Sequence, residues 1–229
     1  MTLDSVIAAG REFGTDIACV SISLLLVAGY YLVHVARARK DPSFSIHYTN
    51  EVARRAWIEH VMTMPGKDIM AVQTLRNFIM NGILMVSTST LLIVGTLTLS
   101  GQADNIARSW HVINLGGSHS AELWIFKVMC LLADFLLAFF SYALSIRLAN
   151  HVLFMMNLPR EAQGRLPALA PEEVAARFNR AGQLVAIGMR AYFFAIPLVF
   201  WLFGPLYLLV ATAGVVVLLF RLDRQQQGI

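Results

Sequence analysis

The 229-residue chain is 57% apolar and only 14% charged, with a mean hydropathy of +0.63. Soluble domains carry roughly 25% charged residues, so this composition excludes one, along with a disordered chain and a disulfide scaffold, and it reads as a polytopic membrane protein. The net charge of +4 first serves membrane topology and does not by itself call for nucleic acid.

The first apolar region, 17–35, follows an acidic and mixed leader that lacks the pattern of a cleavable signal. A basic connection comes next, with Arg37, Arg39, Lys40, Arg54, Arg55 and Lys67. Within it the stretch 50–62 predicts a short helix. Asn50 is its expected cap, Ala53, Trp57 and Val61 recur every four residues, and Glu51/Arg55 and Arg55/Glu59 are i,i+4 pairs. An apolar stripe beside a basic face suits an amphipathic helix on the cytoplasmic surface, with Trp57 as interface anchor. Pro65-Gly66 stops it. The second span, 78–99, is entered through a polar turn holding Arg76 and Asn77, and the third is expected at 123–154. The loop between them carries His111 and His119, and Ser120 can cap the third span.

Pro171-Glu172-Glu173 marks a further helix start, and no breaker follows before Tyr192, so this helix can run straight into the next span. The apolar run from 192 to 220 is too long for one upright span of ~20 residues, and Gly204-Pro205 divides it into helices expected at 184–203 and 206–221. Charge supports five spans over one long kinked fourth span. Basic connections belong in the cytoplasm, and only five spans return the tail bearing Arg221 and Arg224 to that side, with the N-terminus outside. The expected fold is therefore an all-α integral membrane protein, a bundle of five transmembrane helices plus the surface helix.

The order of segments resembles a known family. Ala56-Trp57 after two arginines, Lys67-Asp68 leading to Leu75 and Asn77, and the run Ser87 to Thr90 leading to Gly95 carry the likeness. Trp124 to Lys127, Phe139-Phe140, Arg147 to Asn150, Asn179-Arg180 and Arg190 to Ala195 extend it. The chain resembles, from about 16 to 222, the bacterial and plant integral membrane proteins grouped as domain of unknown function 599. The resemblance implies a bacterial inner membrane protein of this fold. It implies no mechanism, because the family has no established activity, and its pattern is charge-poor where this chain carries Asp134.

Asp134 is the leading candidate for chemistry. It lies about eleven residues, ~16 Å, into the third span, and Ser87, Thr88, Ser89 and Thr90 lie at nearly the same depth in the second. A carboxylate there should face the bundle or a wet cavity. It is either a proton or cation site or a protonated aspartate that ties two helices together. Lys127, seven residues earlier on roughly the same face, is expected to snorkel to the interface. Arg76, Arg147 and Arg190 are all expected near the inner boundary, as one site for an anion or anionic lipid headgroup or as independent snorkelling side chains. His34, His151, His111 and His119 show no metal-ligand spacing, and no nucleophile or nucleotide motif is present, so no cofactor, no metal and no enzyme is expected. Small residues in Ala191xxxAla195 and Ala211 to Gly214 favour self-association. The expected function is a homo-oligomeric pore or carrier for a small ion or solute, or else a structural subunit or scaffold of a larger membrane complex.

Overall fold

The computed structural model describes residues 3–41, 45–101, 121–159 and 166–223. Runs without a breaker become long helices: α1 (Leu3–Lys40), α2 (Ile46–Thr63), α3 (Asp68–Ser100), α4 (Ala121–Met156), α5 (Pro171–Phe203) and α6 (Pro205–Asp223). Among the described residues all but α2 are long and apolar enough to cross a membrane, which makes five spans. At 1.5 Å per residue α3, α4 and α5 are each about 50 Å long, well beyond a hydrocarbon core of ~30 Å, so their polar ends reach past it. Leu25, Leu32, Leu91 and Val210 each expose over 70% of their surface. In water this would be an aggregation liability. For a membrane protein it is the face that lipid covers.

Local chemistry accounts for the boundaries. α5 opens on Pro171 with Glu172 and Glu173 in its first turn and runs unbroken past Tyr192, as the sequence indicates. Pro197 sits inside it and removes one helical donor. Gly204 takes φ 150°, a conformation open to glycine alone, and Pro205 restarts the chain as α6, which makes five spans and not one kinked fourth. Gly66, at φ 79°, turns the chain between α2 and α3. Two expectations are corrected. Arg76 and Asn77 lie within α3, which begins ten residues before the expected 78 because nothing after Asp68 breaks it. The cap of α2 is Ser45, whose hydroxyl accepts from the His47 amide at 3.3 Å, while Asn50 lies inside the helix.

The chain forms two compact units. The first holds α1, residues 92–100 of α3, 121–135 of α4, 191–203 of α5, and α6. In it Trp124, Val128, Leu131 and Phe135, one face of α4, pack with Ala195 and Leu202, and Tyr30 of α1 packs with Val215 and Leu219 of α6. The second holds α2 with 68–91, 136–156 and 171–190. Its core joins Ile58, Val61 and Met62 of α2 to Leu75, Val152, Val174 and Phe178. Burying Ile58 alone contributes about 1.5–3 kcal/mol. The buried stripe of α2 is rotated from the expected one, since Ala53 is exposed and Ile58 is fully buried. The helix docks its apolar face on protein.

Candidate functional site

In the first unit the apolar face of α4 is interrupted by two ionisable groups. Lys127 does not snorkel. Its ammonium lies 3.2 Å from Asp16 Oδ1 of α1, with both residues at least 95% buried. The same oxygen accepts from Trp201 Nε1 of α5 at 3.1 Å, and the ammonium stands 5.4 Å from the centre of the indole ring. One carboxylate thus pins three helices. Desolvating two charges is costly, and this geometry offsets the cost by giving the anion two donors and the cation an aromatic face. Asp16 was legible in principle. Spans one and three start on the same side in any alternating topology, and Asp16 and Lys127 both fall near those starts.

Asp134 lies thirteen residues into α4, about 20 Å along its axis. Its Oδ2 is buried and has no hydrogen-bond partner among the described residues. The hydroxyl run expected to meet it falls in the second unit. There Thr88, Ser89 and Thr90 each donate to the backbone carbonyl four residues earlier, at 2.9–3.0 Å, with Thr88 and Thr90 exposed and Ser89 buried. Ser87 is exposed on the same helix. At the far end of α1 the Tyr30 hydroxyl donates to the Asp223 carboxylate of α6, both residues buried, and the Tyr30 ring stacks on His34 at 6.0 Å. Neither Tyr30 nor Asp223 stood out in the sequence, because each sits at the margin of an apolar run and only packing pairs them.

In the second unit α2 is fastened to α5 by polar contacts. Arg54 Nε donates to Asn179 Oδ1 at 2.8 Å, and Asn179 Nδ2 donates to the Glu51 carbonyl at 3.3 Å. Burial pushes the Arg54 guanidinium below its ordinary pKa, and the charge of Glu51 pulls it back in part. Arg55 pairs with Glu59 at 3.6 Å on the exposed side. Trp57 is half-buried with its ring 5.9 Å from that of Phe178. Of the three arginines read as an anion site, Arg190 is engaged: its Nη2 lies 2.8 Å from His47 Nε2, and since arginine only donates, that nitrogen accepts. The side chains of Arg76 and Arg147 are exposed and form no hydrogen bond or ion pair with another described residue.

Among the described residues no three His, Cys, Asp or Glu side chains cluster as metal ligands, and Cys19 and Cys130 are free thiols. His34 is buried, His151 is exposed, and His111, His119 and Ser120 lie outside the described residues. The chain matches no curated protein and no solved structure. A family model does match, over residues 18–227, nearly the whole length. This membrane protein belongs to the family described as protein of unknown function, DUF599.

Proposed function

We propose that the protein carries a proton or small cation across the membrane, with Asp134 as the group that takes it up and releases it. One observation supports this above the rest: a buried carboxylate oxygen midway along a membrane-spanning helix, with no donor among the described residues. An unpaired carboxylate in such surroundings is expensive, and a proton or bound cation removes the expense. The working form in this proposal is a homo-oligomer in the bacterial inner membrane, with no enzymatic activity. Its N-terminus is outside and its C-terminus in the cytoplasm, and Arg76, Arg147 and Arg190 meet anionic lipid at the inner face.

The scaffold alternative draws on the Asp16–Lys127–Trp201 clamp, which holds helices without requiring any traffic. Asp134→Asn separates the two. In reconstituted vesicles loaded with a pH-sensitive dye, wild-type protein should dissipate an imposed proton or cation gradient. The variant, similar in size but unable to release a proton, should assemble normally and lose the flux or its pH dependence. Wild-type vesicles as tight as protein-free ones would remove the transport proposal and leave the scaffold.

A further inference from the structure

A crevice of about 270 Å³ runs along α1 in the first unit, bordered by Val20, Ser23, Val27, Phe194, Pro197 and Trp201. Its lining is almost wholly apolar, with two hydroxyl groups. The first, on Thr212, is committed to the Leu208 carbonyl at 2.7 Å. The second, Ser23, is 94% buried, and its Oγ has no hydrogen-bond partner among the described residues. That is unusual within this chain. Thr88, Ser89, Thr90, Thr96 and Thr98 all donate to the carbonyl one turn back, the ordinary refuge of a hydroxyl in a helix. Ser23 forgoes that bond and keeps a buried donor unspent, a position that costs about 1–3 kcal/mol unless an acceptor arrives.

We propose that this crevice binds a lipid-soluble quinone, held by the Ser23 hydroxyl, which turns about its Cα–Cβ bond from its buried position to donate a hydrogen bond to a ring carbonyl. Three features select that chemistry. No charged side chain lines the crevice, so the ligand is neutral. Phe194, Pro197 and Trp201 make flat walls that suit a planar ring. Depth excludes the ester carbonyl of a phospholipid. Ser23 lies within about four residues, ~6 Å, of the middle of the Phe13–Lys40 span, whereas ester groups sit at the edge of a ~30 Å core, ~15 Å from its centre. There is also room for a tail. A second crevice of about 400 Å³, lined by Phe13, Asp16, Ile17, Ser21 and Phe126 among others, shares Val20 and Trp201 with the first, and the one carboxylate on its wall, Asp16, is held by Lys127 and Trp201. Together they follow α1 from Phe13 to Val27, about 21 Å.

The test uses the full chain in nanodiscs of saturated phosphatidylcholine, titrated with a decyl-substituted benzoquinone and read by tryptophan quenching, since Trp201 borders both crevices. Wild-type quenching should saturate. Ser23→Ala should weaken binding about fivefold, the worth of one hydrogen bond, Ser23→Thr should restore it, and Val20→Phe should fill the crevice and abolish saturation. Difference infrared spectra of the wild type provide a readout that needs no variant: a hydrogen-bonded quinone carbonyl should absorb at lower wavenumber than the free one. Quenching that never saturates, that added phospholipid displaces, or that a normally folded Ser23→Ala leaves unchanged would overturn the proposal, as would an unshifted carbonyl band.

Discussion

Lys127→Met tests the buried ion pair. The substitution keeps most of the side-chain volume and removes the cation 3.2 Å from Asp16 Oδ1. Asp16, 2% exposed, keeps the Trp201 indole as a donor. Removing one partner of a buried pair costs about 3–5 kcal/mol, and the surviving indole bond puts the expected loss at the lower end, about 3 kcal/mol. The reference state does not cancel this. Asp16 is three residues from the start of the Phe13–Lys40 span, so separated helices would let its carboxylate reach water. Adding Asp16→Asn removes the buried negative charge and keeps an acceptor for the indole. The double variant should therefore be more stable than Lys127→Met alone, with a loss of about 1–2 kcal/mol. Unfolding by dodecyl sulfate in mixed micelles, followed by ellipticity and by tryptophan fluorescence to check two-state behaviour, gives both numbers. A Lys127→Met variant within 0.5 kcal/mol (roughly the scatter of surface substitutions) of wild type, or strict additivity of the two changes, would refute the clamp.

Gly188→Ala places its new methyl 2.7 Å from the Tyr142 ring, which is 1% exposed and cannot move aside. It should lose about 1–3 kcal/mol in the same unfolding assay. Gly182→Ala places its methyl 2.8 Å from the Arg54 guanidinium, the end of a long side chain that can shift at the expense of its Asn179 bond, and should lose less; the reverse order would contradict this packing. Trp57→Glu should lower expression and thermal stability more than Glu51→Ala, because the ring packs on Phe178 while Asn179 uses the Glu51 backbone carbonyl, which alanine retains. Reporters active on one side only, fused at Thr2 and at Gln226, should report opposite sides of the membrane, since five spans are odd in number; the same side for both would exclude that count.

Much of the architecture is legible in the sequence because the bilayer solvent leaves little choice. Backbone groups in hydrocarbon must be bonded within the helix, so an apolar run of sufficient length becomes a helix, and Gly204-Pro205 and Pro65-Gly66 are breakers by their covalent structure alone. The five spans, the separate helix before the second span and the continuity of α5 from Pro171 follow from such local rules. What a side chain meets across the interior is a different matter. Lys127 could snorkel or pair, and the choice depended on Asp16, 111 positions away in the sequence. Tyr30 and Asp223 meet because α1 packs along α6. The buried stripe of α2 runs through Ile58 and not Ala53, on the face from which Arg54 bonds Asn179 of α5. Ser23 is one more small residue in an apolar run, and that its hydroxyl lacks a partner among the described residues emerges only once the walls around it are assembled. Periodicity fixes which residues share a face of a helix, but rotation about the helix axis is set by long-range contacts, and the polar groups of this protein acquire their partners through that rotation.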